Sequence, residues 1–241
     1  RETQATRQPG SCFKILGCYL PGLDAAGLTL GSTKMDAPYT TPSGYSPVNW
    51  YSGYWGLATV RYAITQSMNV VTTKFFVEDV TPELAIDYCR KLGITTLTDS
   101  DYVESFALGG LTYGVTNLEI TGAYAAIANG GKYVRPVFYS KVVDRDGNVL
   151  LDNTNPQGEQ VIKETTAYLL TSAMQDVVTK GTGTACALHD GMDVAGKTGT
   201  TSDSKDLWFV GYTPYLTAGI WLGYDQSYAM EGELSETEHE Y

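Results

Sequence analysis

The spacing of apolar positions changes along the chain, and that change sorts it into elements. Residues 11–20 carry apolar side chains almost without interruption, at Phe13, Ile15, Leu16, Tyr19 and Leu20. Such a run predicts a short buried helix, and Pro21-Gly22 predicts its end. A segment rich in Gly, Pro, Ser and Thr follows over residues 22–54, studded with Tyr39, Tyr45, Trp50, Tyr51 and Tyr54, with Trp55 just beyond. A loop this long inside a compact domain is usually functional or mobile. Its aromatics read either as anchors of a surface loop or as the lining of a substrate path. Helical spacing returns over residues 57–65, breaks at Ser67-Met68-Asn69, and resumes through Val77.

Thr81-Pro82-Glu83 supplies a capping threonine and a proline at the first helical position. The helix it opens runs to about Leu92, where Gly93 ends it. Thr116-Asn117-Leu118-Glu119 is a capping box, ahead of a small-residue helix that Gly130-Gly131 closes. The spacing then becomes two. Residues 137–143 and 149–151 predict strands around a turn containing Asp146-Gly147. A helix over 165–178 stops at Lys180-Gly181-Thr182-Gly183, and strands over about 194–200, 207–212 and 216–223 follow. Helices in the middle and strands at the end predict an α+β domain with helices packed on an antiparallel sheet.

Composition narrows the function. The chain has 241 residues, 43% hydrophobic and 18% charged. That is enough for one large domain or two small ones, and it excludes a disordered chain. A net charge of −11 speaks against nucleic acid, which needs a basic face. Part of the acidity is local: Glu231, Glu233, Glu236, Glu238 and Glu240 read as a solvated tail. Cys12, Cys18, Cys89 and Cys186 show no C-x-x-C spacing, so they read as buried free thiols. Neither a metal nor a cofactor is expected. The only histidines are His189, in a polar loop, and His239, in the acidic tail. A Ser-His-Asp triad is therefore nearly excluded by supply, and a nucleophilic serine here needs another base. No run reaches the length of a membrane span, and no signal peptide is visible. The chain starts abruptly at Arg1, so it is expected to be a piece of something longer.

Three motifs offer that chemistry. In Arg7-Gln8-Pro9-Gly10-Ser11-Cys12-Phe13-Lys14, Ser11 sits at a helix start with Lys14 one turn later on the same face. A neutral lysine there can take the serine proton. Gly10 lets the backbone bend into the helix, and the free N–H groups of the first turn favour an oxyanion beside the serine. Ser67 and Asn69 lie in a polar break between helices, where both can face a cleft. Lys197-Thr198-Gly199-Thr200-Thr201 lies on a strand. A glycine inside a strand marks a close approach to the backbone, here expected from a substrate paired along the edge. The two lysines suit opposite tasks. Lys197, the helix start and burial all disfavour a charged Lys14, while Lys197 stays charged to anchor an anion.

Serine-x-x-lysine, serine-x-asparagine and lysine-threonine-glycine, in that order, resemble the signature of penicillin-binding proteins and serine β-lactamases. The flanking segments QSMNV, ALGGLTYGVTNLEITGAYAAIANGG and VAGKTGTTSDSKDLWFVGYTPYLTAGIWLGYD resemble the transpeptidase domain of class A penicillin-binding proteins, the bifunctional peptidoglycan synthases. The resemblance covers about residues 7–225. It implies a β-lactamase/transpeptidase-like α+β fold: an antiparallel sheet covered by helices, a helical lobe, and an active-site cleft between them. Residues 1–225 would be that domain and 226–241 the acidic tail.

The resemblance also implies roles. Ser11 would be the acylated nucleophile and Lys14 its base. Ser67 would relay protons, and Asn69 would bind the substrate backbone. Lys197, Thr198, Gly199 and Thr200 would seat the substrate and its carboxylate, and the backbone N–H groups of Ser11 and Thr200 would form the oxyanion hole. The implied partners are stem peptides, with a D-alanyl-D-alanine donor and an amine acceptor, and β-lactams. The implied location is the outer face of a bacterial cell membrane.

The sequence departs from the family in several places. The sheet strands expected before the serine helix, the final helix, the glycosyltransferase domain and the membrane anchor are not seen. An incomplete domain is therefore expected, completed by the rest of a parent protein or by a companion chain. Cys12 stands where small polar residues are usual and is expected to point into the core. A β-lactamase would need a water-activating glutamate in E-x-x-L-N, which is absent, and Met68 replaces the aspartate of S-D-N. A D-alanine carboxypeptidase and a β-lactam-sensing receptor domain remain as alternatives with the same residues.

Overall fold

The computed structural model describes residues 3–226 and Met230. The acidic-tail reading thus falls, apart from Gln226 and Met230, outside the described residues. The strands are β1 (Thr6–Arg7), β2 (Thr33–Asp36), β3 (Gly56–Thr59), β4 (Val115–Thr116), β5 (Lys132–Tyr133), β6 (Lys141–Val143), β7 (Val149–Asp152), β8 (Glu159–Gln160), β9 (Ala195–Thr200), β10 (Asp206–Tyr212) and β11 (Thr217–Gly223). The α-helices are α1 (Leu20–Asp24), α2 (Val60–Thr65), α3 (Asn69–Phe75), α4 (Pro82–Lys91), α5 (Asn117–Ala128) and α6 (Glu164–Lys180).

The main sheet is antiparallel, in the order β11-β10-β9. Every residue of β10 is buried, as a central strand covered on both faces requires. Its register sets Trp208 opposite Gly199, Phe209 opposite Thr198 and Val210 opposite Lys197. Side chains alternate across a strand, so Lys197 and Gly199 share the face of Trp208 and Val210. That face meets α5 and α6; Tyr212 reaches α6 through a 2.7 Å hydroxyl contact with Thr171. The other strands pair in twos: β1 with β4, β2 with β3, β5 with β8, and β6 with β7.

The serine helix runs through the middle of the molecule. Cys12, Phe13, Lys14, Ile15, Leu16, Cys18, Tyr19 and Leu20 are all fully buried, as expected of a helix apolar all round. It begins as a 3₁₀ turn over Gly10–Cys12 and widens to a π-helix over Ile15–Tyr19. Contrary to expectation, Pro21 does not end it, and α1 carries it on to Asp24. Leu20 N–H bonds Ile15 O at the end of the π turn, and Pro21 falls in the first turn of the α segment that follows, where proline is tolerated.

Other differences have local causes. The long loop contains β2, whose mixed polar sequence hid its pairing with β3. That pairing also takes residues 57–59 out of the expected helix, which begins at Val60 with Thr59 accepting from Tyr62 N–H. Thr81 precedes α4 at φ +72° and makes no side-chain cap. Residues 137–140 do not join β6, because β7 opposite them is only four residues long. The Thr116–Glu119 capping box forms as expected.

Candidate active site

Ser11 lies half-buried on a cleft of about 570 Å³ that is also lined by Tyr45, Val48, Asn69, Ser105 and Thr200. Gly10 makes its placement possible. The residue has φ +51°, and a Cβ there would sit 2.8 Å from Thr200 O. Only glycine takes that turn with the sheet so near. Gly199 answers it from the other side: a Cβ on Gly199 would sit 2.5 Å from Pro9 O and 2.8 Å from Cys12 Sγ. On this side the close approach to Gly199 is made by the serine turn itself. The fit sets the main chain of Thr200 beside Ser11, where two backbone N–H groups can meet an oxyanion.

Below the cleft floor lies a buried group of polar side chains. Lys14 and Lys197 are both fully buried, and Ser67 is 5% exposed. Lys14 Nζ is 2.6 Å from Ser67 O, 2.6 Å from Asn69 Oδ1 and 3.1 Å from Ser67 Oγ. Lys197 Nζ donates to Ser67 Oγ at 2.8 Å and to Thr198 O at 3.1 Å. Ser67 can serve both lysines because it turns back at φ +53°, a conformation that costs a non-glycine residue about 1–3 kcal/mol and clusters at functional sites.

Burial and the neighbouring amine, not the count of hydrogens, decide which lysine is discharged. The carbonyl of Ser67 and the amide oxygen of Asn69 only accept, so they use two N–H groups of Lys14. The Ser67 hydroxyl accepts from Lys197 at 2.8 Å and from Lys14 at 3.1 Å, so one oxygen joins the two amines. Lys14 is held well below the ordinary lysine pKa, first by burial and next by the charge of Lys197. The helix start, expected to help, is only a three-residue 3₁₀ turn.

The expected Ser11–Lys14 pair is not closed in this state. Among the described residues no hydrogen bond joins their side chains, because the amine is drawn to Ser67 and Asn69. Cys12 does point inward, as expected. It is fully buried, its thiol donates to Lys197 O at 3.1 Å, and burial pushes its pKa up to about 12 despite the opposing charge of Lys197. It is no rival nucleophile. Cys12, Cys18 and Cys89 are buried thiols, and Cys186 is half-buried.

Two supporting residues gave no signal in the sequence. Tyr124 on α5 donates to Cys12 O at 2.7 Å and ties the serine turn to the layer below. Thr182, in the glycine-rich stop after α6, bonds hydroxyl to hydroxyl with Thr198 at 2.7 Å. Its N–H also reaches Thr65 O at 3.3 Å, so it links the strand wall of the cleft to the helical one.

A serine at a tight turn, a buried lysine held below its ordinary pKa and a second buried lysine make a constellation suited to serine acyl transfer without histidine. The sequence matches the penicillin binding protein transpeptidase domain over residues 1–225. It is 36% identical to penicillin-binding protein 1F of Bacillus subtilis (strain 168) over 229 residues, 92% of this chain and 31% of that protein. It is 35% identical to penicillin-binding protein 1A of Aquifex aeolicus (strain VF5) over 241 residues, 98% of this chain and 32% of that one. Among solved structures, PonA1 of Mycobacterium tuberculosis superposes with a TM-score of 0.82 at 28% identity, covering 93% of this chain and 62% of that one. The same protein in complex with penicillin V gives 0.79 at 29%, covering 91% and 61%. The chain belongs to the penicillin-binding protein transpeptidase family. It spans about a third of the length of the curated relatives it matches.

Proposed function

We propose that the chain is the D,D-transpeptidase unit of a peptidoglycan synthase and that β-lactams acylate it at Ser11. The single observation that carries this is the buried Lys14–Ser67–Asn69–Lys197 cluster beneath Ser11, in which burial and Lys197 hold Lys14 well below its ordinary pKa. Ser11 Oγ attacks the carbonyl carbon of the penultimate D-alanine while Lys14 takes its proton. The N–H groups of Ser11 and Thr200 hold the oxyanion. Ser67 passes a proton to the departing nitrogen as the C–N bond breaks and D-alanine leaves. Lys14 returns the first proton to Ser67; the amine of a neighbouring stem then attacks the ester and gives a proton to Lys14, the C–O bond breaks as the new amide forms, and that proton passes to Ser11 Oγ. Asn69 and the edge from Lys197 to Thr200 hold the donor peptide.

A glycan-polymerising activity, a membrane anchor and a place on the outer face of the bacterial cell membrane are proposed for the whole protein. The test is intact mass after incubation with a penicillin. The wild type gains one adduct on the peptide holding Ser11, and Ser11→Ala gains none. An adduct elsewhere, or none on the wild type, overturns the reading.

A further inference from the structure

The long aromatic loop reaches the catalytic group through two residues that no motif includes. Helix α3 begins at Asn69, and its N-cap residue, Met68, has no side-chain cap. The cap comes instead from Asn49, in the loop: its Oδ1 accepts from Asn69 N–H at 3.0 Å and from Val70 N–H at 3.1 Å. Asn49 can present only its oxygen to the helix, because its Nδ2 is held 2.8 Å from Asp36 Oδ1. Asp36 is 1% exposed. Its other oxygen accepts from Tyr51 OH and from Trp55 N–H, both at 2.8 Å. The carboxylate is thus fixed by the end of β2 and by two residues that follow Asn49.

The loop grips Asn69 a second time. Val48 O accepts from Asn69 Nδ2 at 2.6 Å, which settles which end of that carboxamide faces Lys14. We propose that Asn49, held by Asp36, is a positioning residue for catalysis: it fixes α3 and Asn69 so that the amide oxygen occupies one N–H of Lys14 and orients the amine. The inference rests on the acyl-transfer reading of the site and adds to it a cause for the orientation of the base. It also gives the loop a task. Trp50, Tyr51 and Trp55 pack ring against ring and hold the segment that carries Val48 and Asn49.

The test uses the full chain with Asn49→Ala, Asn49→Asp, Asp36→Asn, and the exchange Asp36→Asn with Asn49→Asp. Penicillin acylation of Ser11 is timed across pH, the thermal midpoint is recorded, and amide exchange is followed at Asn69 and Val70. Asn49→Ala is expected to slow acylation about 10- to 100-fold, the cost of a group misplaced by about an ångström, and to move the pH inflection, since a displaced Asn69 no longer accepts from Lys14. Asn49→Asp sets two carboxylates together and slows it as well. The exchange restores a donor at 36 and acceptors at 49, so it recovers most of the loss. Acylation at the wild-type rate in Asn49→Ala, or a fall that follows the thermal midpoint with no change in pH profile and no rescue by the exchange, overturns the proposal. Amide exchange keeps the two readings apart. Protection of Asn69 and Val70 retained in Asn49→Ala overturns the clasp whatever penicillin does. A wild type without adduct overturns the functional reading, while lost protection in Asn49→Ala still supports the clasp.

Discussion

The two walls of the cleft are held in place by different physics. On the sheet wall, Lys197, Gly199 and Thr200 are positioned by the main-chain ladder between β9 and β10. A shift of one residue would turn Lys197 to the opposite face, so the register alone secures the charge. On the helical wall, Ser67 and Asn69 sit in a break between α2 and α3, where no ladder reaches. They are held by a left-handed backbone at Ser67 and by side chains. The first wall is built from repeated interactions and the second from single ones. Loss of one group should therefore cost chemistry on the helical wall and stability on the sheet wall.

The largest effect is expected where the walls meet. Lys14→Ala removes the base and should slow penicillin acylation by about 10²- to 10⁴-fold, the usual worth of general base catalysis. The wild-type pH profile sharpens this. Lys14 is active when neutral, and its pKa lies well below 10.5. The rate should therefore rise with pH through that lowered pKa, level off above it, and be lost as the amine protonates on acidification. An inflection near an ordinary lysine, about 10.4, would mean that burial and Lys197 do not discharge Lys14.

On the sheet wall the expected loss is stability. Gly199→Ala drives a methyl group toward Pro9 O and Cys12 Sγ in a fully packed interior. Overpacking of this kind costs about 1–3 kcal/mol. For a domain of this size that lowers the thermal midpoint by about 2–4 °C per kcal/mol. Acylation should fall with it, since the same clash pushes the serine turn off the strand. An unchanged midpoint would show that the ladder, not the glycine, sets the distance between Ser11 and β9.

The same contrast explains what was legible in the sequence. The three strands of the main sheet, α4, α5 and α6 lie within a few residues of their expected places, because alternation, capping boxes and glycine stops are local signals. Ser67 and Asn69 were marked by their motif, but the ties that orient them were not. Asn49 is 20 residues from Asn69 and Thr182 is 16 from Thr198. Nothing in the spelling of Ser46-Pro47-Val48-Asn49 announces a remote helix cap, since the signal exists only once the chain has folded. The run of the serine helix on to Asp24 was hidden for the opposite reason. Pro21 is a strong local signal, but it falls in the first turn of the α segment that follows, where proline is tolerated.

Thr182→Val gives the smallest expected effect and the sharpest comparison. The substitution keeps the shape of the side chain and removes one hydroxyl contact, the 2.7 Å bond to Thr198. The main-chain bond from Thr182 N–H to Thr65 O remains, so the spacing between the walls survives. A single neutral hydrogen bond is worth about 0.5–1.5 kcal/mol net, and the loss should appear as a small fall in thermal midpoint. Thr198 also keeps its place in the ladder opposite Phe209, so acylation should slow by less than about tenfold, the factor that 1.4 kcal/mol represents. The pH profile should not move, because no partner of Lys14 is touched. If Thr182→Val instead matched Asn49→Ala in rate and in pH shift, the sheet wall would depend on single side-chain contacts as the helical wall does, and the contrast between them would be lost.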